Sequence, residues 1–587
     1  MILQEIQFPR IGEHDTNLYM RDEHNKVTVD VINKMSHIKA GARYKFDTYF
    51  NTFSLEKWVK YTILDDLYLE IEFEGVADLV IYRIEHYSRG LHYSKYPIHA
   101  ERISSNRREK YVFKVPRTNT KGILSFEIHT VDSSIFYGGT WSTGEVNQEE
   151  VNIALCICTF KREDYLIPNM KMLEEDMPSY LKIYIVDNGG TLSSDDFSNS
   201  NIKLIPNKNS GGAGGFTRGM LEALAEKDKH NLTNILLMDD DVVFTKHTLD
   251  RTYAFLKMLK PEWRNIMLGG AMLNLDDPVI QHAAGENWTL NGIHKNKCGL
   301  NLAYLSEVVK NEIEDSVNLL GWWYCCFSLD ETLSNNLSLP VFFQGDDQDF
   351  SLRNSHWHKV NLNGICLWHE SFEKKRSASK DYFWNRNFFI TSSIHSNDFT
   401  KKFLLRFLAK NVISQLFLYR YKEANLILKG AEDFLKGLEW LGKQDPIELN
   451  KEIMGLVEKS KPLNELEFVF NRHMLEASQH SIESRKQRLI RRISLNGWLM
   501  RSRGESVVPA IDPIRIHTFR KSRVLNYDQG SNTGYVTYKS YKQAFAVICN
   551  FIRLAVLVNR NFGRTIKANK LSYKNVINKD FWQNYLA

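Results

Sequence analysis

Long apolar runs are missing from this chain: no uninterrupted stretch approaches the roughly 20 residues that a bilayer-spanning helix needs. The opening segment MILQEIQFPRIGEHD has no basic region followed by an apolar one, so no secretory signal is expected. Cysteines number only seven, an odd count, and no CxxC pair has zinc-like spacing, which argues against a thiolate metal site. Cys156, Cys158, Cys325, Cys326 and Cys549 lie in apolar runs, as buried free thiols of a reducing compartment would. A phosphate loop ending in Gly-Lys-Ser/Thr is absent, as is a GxGxxG placed after a first strand. Internal repeats and low-complexity linkers are lacking too, and no nucleic-acid recognition motif appears. A cytoplasmic protein of several domains, with no nucleic-acid partner, is expected from these absences.

Aromatics are plentiful at 12%, with 12 Trp, a composition that suits stacking on the apolar faces of sugars and suits core packing as well. Charge is uneven. The net charge of +6 is concentrated in residues 485–587, where Lys and Arg outnumber Asp and Glu by about 20 to about 4. The rest of the chain is therefore acidic overall. A basic tail on an acidic body points to a local phosphate contact, of lipid or of nucleic acid.

The pattern of hydrophobicity divides the chain into three. Residues 1–150 carry short segments rich in β-formers, including 68–73 (YLEIEF), 77–84 (ADLVIYRI) and 124–130 (LSFEIHT), spaced as in a β-sandwich. From residue 151 the runs 151–159 (VNIALCICT), 181–186 (LKIYIV) and 234–238 (NILLM) are nearly continuous in apolar residues, as parallel strands buried on both faces are. Helix-like segments separate them, so an α/β domain with a mostly parallel sheet is expected, its ligands at the carboxyl ends of the strands. After about residue 400, apolar residues recur at spacings of three and four over 403–419 and 424–441, and the chain reads as helical.

Four polar strand ends follow from this register: Thr159–Asp164 in TFKRED, Asp187–Gly190 in DNGG, 207–219 (NKNSGGAGGFTRG), and Asp239-Asp240-Asp241. The glycine-rich segment opens a helix, whose first N–H groups suit a phosphate or the close approach of a sugar; a plain flexible loop is the alternative. Three adjacent carboxylates repel one another unless a cation offsets them. Their hard oxygens favour Mg²⁺ or Mn²⁺, which also grip diphosphates; a helix N-cap cluster is the alternative. A second acidic group, Asp346-Asp347 with Asp349, offers a general base for an acceptor hydroxyl, or an N-cap for a helix over 348–353. Trp322 and Trp323 suit stacking on an acceptor sugar or core packing. His369, closing the run CLWH, suits a third metal ligand or an ordinary hydrogen-bonded imidazole.

In this order, the motifs resemble the bacterial galactofuranosyltransferases of glycosyltransferase family two. The resemblance rests on FDTYFNTF (46–53), CTFKRED, VDNGG, NSGGAGGFTRG, LMDDDV, GWWYCCF, FQGDDQDF, and WHESFEKKR followed by YFWNRN, and spans most of residues 1–395. It implies a β-sandwich or barrel over 1–150, a central Rossmann-like GT-A domain over 151–398, and a mainly α-helical, basic C-terminal domain over 399–587. It implies UDP-galactofuranose as donor and inversion at the anomeric carbon, so that a bacterial surface glycan grows. By position, Phe160, Arg162, Asp187 and Asn209 would hold the uridine end. Asp239, Asp241 and His369 would take the divalent cation, with Asp240 against the nucleotide. Asp347 would be the catalytic base, Asp346 its neighbour at the acceptor, and Trp322 and Trp323 the acceptor floor.

Two positions depart from the family: Gly345 and Phe372 stand where polymerising members carry Trp, which thins the acceptor lining. The alternatives are a transferase of the same fold using another UDP-hexose, and a non-catalytic carbohydrate-binding protein. Residues 485–503 (RKQRLIRRISLNGWLMRSR) mix basic and apolar side chains as interfacial segments do. Residues 545–558 (FAVICNFIRLAVLV) are apolar but interrupted by Arg553 and read as too short to span. A lipid-linked glycan acceptor, and a peripheral position on anionic lipid at the cytoplasmic face of the inner membrane, are expected. Self-association is left open.

Overall fold

The computed structural model describes residues 1–10, 16–87, 92–116, 119–147, 149–370, 379–480, 483–511 and 513–587. Contacts divide the chain into two compact units: Met1–Asn207 with Arg218–Leu333 and Asn354–Glu370, and Lys208–Thr217 with Ser334–Arg353 and Ser371–Ala587. The division expected near residue 150 falls inside the first unit, and the whole tail after 399 falls inside the second.

The first unit begins with a nine-stranded sheet that curls around one long strand, Tyr68–His86. Its first half pairs with Ser134–Ser142 and its second half with Ile123–Thr130, both antiparallel. The handover occurs at Gly75, whose φ of +116° and close neighbour (a Cβ would stand 2.2 Å from Ser134 Oγ) make glycine the fitting residue at this bend. Inside the curl, Phe46 stacks on Phe126 at 4.2 Å, and Phe53, Phe136 and Trp141 complete a buried aromatic core. The sheet-rich start is thus as expected. Tyr93–Lys114 is mostly exposed and basic, and its pairing with Tyr68–His86 along that strand's length makes it a strand.

The second sheet of this unit runs in the order Ile202–Pro206, Leu181–Asp187, Ile153–Thr159, Asn234–Asp239, Tyr324–Ser328, Ile266–Asn274, His358–His369, Val242–Val243. The first four strands are parallel neighbours; the side chains of Leu181–Asp187, Ile153–Thr159 and Asn234–Asp239 are almost all buried, whereas the edge strand Ile202–Pro206 buries only Ile205. Beyond Asn234–Asp239 the sheet is mixed rather than mostly parallel. Tyr324–Ser328 inserts antiparallel between Asn234–Asp239 and Ile266–Asn274, and Val242–Val243 returns antiparallel onto His358–His369. Alternation of strand and helix could not reveal these reversals, since they depend on which strands meet.

The second unit packs the helices Lys380–His395, Lys401–Phe417, Tyr421–Phe434 and Tyr541–Ser572 against one another. A four-stranded sheet, in which Glu505–Pro509, Arg523–Asp528 and Thr533–Tyr538 are the main strands, stands among them; the helical reading of the tail did not include it. Arg420, 5% exposed, ties sheet to helices by donating to Asn526 Oδ1 and to the carbonyls of Ala510 and Pro509. The apolar run at 545–558, which reads as too short to span, lies in the first half of a 32-residue helix, Tyr541–Ser572, which by length and composition alone could cross a bilayer.

Candidate functional site

Parallel register brings the polar strand ends of the first unit to one edge. Asp187 lies opposite Thr159, and Asp239 lies opposite Cys158. After Asp241 the chain turns back, and Val242 pairs with His369, which delivers the imidazole to the acidic run. Asp239, Asp241 and His369 each present one ligand atom, all within 4.8 Å of one another. His369 Nε2 meets Asp241 Oδ1 at 3.0 Å, and Nδ1–H donates to the Glu370 carbonyl, which fixes the ring's orientation. Burial works against the imidazolium, yet the hydrogen bond and charge of Asp241 raise the His369 pKa. Burial likewise disfavours the Asp241 carboxylate, but His369 and then Arg162, whose Nη2 is 3.6 Å away, hold its pKa below the usual range. Two carboxylates and an imidazole suit Mn²⁺ or Mg²⁺, and an O,O,N set is poorly matched to soft ions.

Asp240 turns elsewhere. Its carboxylate accepts from the Phe160 N–H at 3.2 Å and from Thr159, while burial raises its pKa. Phe160 itself is 47% exposed just past the end of its strand, with Lys161 Nζ over its ring 5.4 Å from the centroid. Asp187 is 3% exposed, and its two oxygens accept four backbone N–H groups, from Gly189, Gly190, Thr191 and Leu192, at 2.8–3.0 Å. Its carboxylate braces the DNGG turn. Trp322 is buried at 3% exposure, whereas Trp323 is half-buried and donates its indole N–H to the Gly270 carbonyl at 2.8 Å.

Two groups near this edge escaped the sequence reading. Burial pushes Glu286 up to about 7, opposed weakly by Lys295. Burial, Lys295 and the charge of His369 push His282 down to about 4. The spacing HAAGE carries no metal or catalytic signature, so only the packing of the short strands Gln281–Ala283 and Glu286–Thr289 exposes them as perturbed groups.

The second unit holds the other acidic group. Asp346 and Asp347 begin the helix Asp346–Arg353. Burial pushes Asp346 up to about 6. Asp347, half-buried, accepts the Gln348 N–H at 2.7 Å. Asp349 is enclosed by Arg353 at 2.7 Å and His395 at 2.8 Å, and serves the helix. The turn before them is held in unusual backbone: Phe342, Gln344 and Gly345 have φ of +74°, +62° and +104°. Asn387, in the YFWNRN motif, spans it by donating to the carbonyls of Val341, Phe343 and Gln344. Arg386 adds a bond to Val341. At Gly345 this backbone favours glycine, so the departure from Trp is built into the local conformation. Phe372 lies outside the described residues.

The glycine-rich segment meets the same turn. Gly211, at φ +71°, would place a Cβ 2.0 Å from the Phe342 carbonyl, and the Ala213 N–H donates to that oxygen at 3.1 Å. A Cβ on Gly212 would stand 3.5 Å from Asp346 Oδ2. Asn209 Oδ1 accepts from the Gly211 N–H at 3.2 Å. The glycines therefore let the start of the helix Gly211–Ala225 close on the acidic turn.

Residues 3–144 match the family model described as Galactofuranosyltransferase 2 N-terminal. The galactofuranosyltransferase GlfT2 of Mycolicibacterium smegmatis is 27% identical over 429 residues, 67% of this chain and 64% of that one. GlfT2 of Mycobacterium tuberculosis is 24% identical over 478 residues, 75% of this chain and 73% of that one. The chain is thus similar to proteins named galactofuranosyltransferases. The match spans less than two thirds of the M. smegmatis protein's length. Among solved structures, Staphylococcus aureus TarS 1–349 with UDP aligns at TM-score 0.30 and 13% identity, over 48% of this chain and 80% of that one. A mannosyltransferase from Pyrobaculum calidifontis, solved with GDP-mannose and Mn²⁺, aligns at TM-score 0.26 and 11% identity, over 53% and 82%.

Proposed function

We propose that this chain is an inverting, metal-dependent galactofuranosyltransferase with a central GT-A domain. It transfers galactofuranose from UDP-galactofuranose to a hydroxyl of a lipid-linked glycan, at the cytoplasmic face of the inner membrane. The observation that carries the proposal is the cluster of Asp239, Asp241 and His369 at the carboxyl ends of the parallel strands of the mixed sheet, in a chain similar to proteins named galactofuranosyltransferases.

Asp239, Asp241 and His369 would hold the cation. When bound, it supplies positive charge that offsets the charge growing on the departing diphosphate. Phe160 offers its exposed ring to the uracil, and Arg162 and Asn209 offer donors to the nucleotide. Asp187 contributes through the turn it braces, and Asp240 orders Phe160 through its backbone N–H. Asp347 accepts the proton of the acceptor hydroxyl as the oxygen attacks the anomeric carbon. The bond to UDP breaks on the opposite face, so the configuration inverts. Trp323 offers the partly exposed ring of the Trp pair for the acceptor to rest on.

The test is UDP release from a panel of UDP-sugars with Mn²⁺ or Mg²⁺. Turnover with the furanose is expected. A preference for a pyranose would reassign the donor, and no turnover with any donor would leave a carbohydrate-binding role. In a second arm, Asp347→Asn should lower transfer by about 10³-fold or more while UDP affinity stays near wild type. Surviving activity would remove Asp347 from the role of base.

A further inference from the structure

A cavity of about 790 Å³ opens in the first unit, and none of the residues assigned above lines it. Sites for small ligands run from about 300 to 1,000 Å³, so it has room for a short oligosaccharide. Its walls come from the strand Ile2–Glu5 and the segment after it, from Tyr68–His86, Tyr93–Lys114 and Ser134–Ser142, and from the start of the helix Lys246–Lys257. Ile6, Ile71 and Phe244, all buried, give it an apolar floor. Phe8, half-buried, lies over Gly138, where a Cβ would stand 3.6 Å from Phe8 Cε2.

Two neutral donors in these walls have no partner among the described residues. Gln7 is 2% exposed, and its Nε2 makes no hydrogen bond. Its backbone is fixed, because the N–H donates to Asn51 Oδ1 at 2.7 Å and the carbonyl accepts from Asn51 Nδ2 at 2.9 Å. Thr245 stands at the N-cap of Lys246–Lys257, where a threonine hydroxyl ordinarily accepts from the first turn. Here it makes no such bond, and its buried Oγ1 is unpartnered as well. A buried donor left unmatched is destabilising, and two in one cavity point to a ligand that accepts from both.

Charge at the rim is balanced. Lys110 pairs with Glu70 at 2.6 Å, Arg108 with Glu72, and Lys246 with Asp176. Arg10 lies over the Trp368 ring, 4.1 Å from its centroid. Burial, then the charges of Arg251, Lys34 and Lys246, push His247 down to about 3, which leaves it neutral beside Glu5 at 3.4 Å. Lys34 and Glu5 then stand one against the other. Such a lining offers a phosphate no net charge. Apolar faces beside neutral donors and carboxylate acceptors match instead the C–H faces and hydroxyls of a sugar.

We infer that this cavity is a second glycan site, which holds a short stretch of the uncharged galactofuranose chain in addition to the acceptor end that reacts. The identity of the sugar rests on the transferase reading above. Phe8 takes the C–H face of one ring, Gln7 Nε2 and Thr245 Oγ1 donate to sugar oxygens, and Glu5 accepts from a hydroxyl. Between Asp241 and Thr245, Val242–Val243 pairs with Trp368–His369, so the strand pair that positions the metal cluster also carries this wall.

The full chain is titrated by calorimetry with a galactofuranose trisaccharide, with maltotriose and with inorganic pyrophosphate. Binding of the galactofuranose trisaccharide is expected, and Gln7→Leu/Thr245→Val should weaken it at least about 10-fold. Phe8→Ala should weaken it as well. Because both donors are unmatched in the free protein, the double variant should melt no lower than wild type. A lower melt would mean that the donors already have partners, and overturns the inference. With a monosaccharide acceptor, UDP release should be unchanged in the double variant. With a tetrasaccharide acceptor, its KM should rise about 10-fold at constant kcat. Equal trisaccharide binding by wild type and double variant overturns the inference. Equal affinity for maltotriose removes the assignment to the enzyme's own glycan. Pyrophosphate binding that the double variant loses replaces the sugar by a phosphate. Turnover intact without variant-sensitive sugar binding sinks the second site alone. Variant-sensitive sugar binding without turnover sinks the transferase reading alone.

Discussion

His369 shows how much a single side chain depends on its neighbours. With Nδ1–H committed to a carbonyl, Nε2 faces Asp241, and the two carboxylates favour any positive charge placed among them. His369→Ala should weaken Mn²⁺-dependent UDP binding by at least about 10-fold, read by calorimetry with and without the metal. Glu286 is the opposite case, a carboxyl deprived of water. Its folded pKa of about 7 exceeds the ordinary 4.5, so the folded protein keeps the proton between those values while the unfolded chain loses it. Stability from this group is full below pH 4.5 and is lost as pH rises through 7. Glu286→Gln keeps the neutral shape at every pH. Its urea-unfolding free energy should match wild type near pH 4.5 and exceed it by about 3 kcal/mol at pH 8. A gap that does not widen with pH would exclude the buried proton.

At the scale of elements, Arg251 ties the turn at Phe50, which precedes the helix Leu55–Tyr61, to the second sheet. It is 4% exposed within the helix Lys246–Lys257 and donates to the carbonyls of Phe50 and Asn363. Gly364 makes room for it: a Cβ there would stand 1.6 Å from its Nη1. Arg251→Ala should cost about 2–4 kcal/mol, measured as a lowered denaturant midpoint, because it leaves carbonyls unpaired and a cavity behind. The same scale shows what was legible. The strands 151–159, 181–186 and 234–238 declared themselves because both faces are buried, and a chain that must avoid water on both sides is apolar throughout. Tyr93–Lys114 and the small sheet of Arg523–Asp528 did not, because their strand character comes from a partner and their exposed faces keep polar side chains.

At the scale of the molecule, the end of the chain returns to the acidic turn. Trp582, in the helix Lys579–Leu586, is wholly buried and donates its indole N–H to the Ser338 carbonyl at 2.9 Å. A Cβ on Gly214 would touch the same ring at 3.5 Å, and Lys208 lies over Tyr585. The final helix therefore supports both the glycine-rich turn and the loop leading to Asp346. Trp582→Ala should cost about 3–5 kcal/mol and lower turnover, although residue 582 lies far along the chain from either motif. A melt and an activity equal to wild type would deny that support. The sequence by itself determined the strand ends, the two acidic groups and the family likeness, because apolar runs and short polar motifs are local and survive as text. Only the tertiary structure decided that Asp239 and Asp241 meet His369, that Asp187 spends its oxygens on a turn, and that Asn387 and Trp582 hold the glycine and acidic turns. Those roles arise from residues brought together across the chain, and a hydrogen bond or a packed ring between distant residues leaves no periodic trace in either one's neighbourhood.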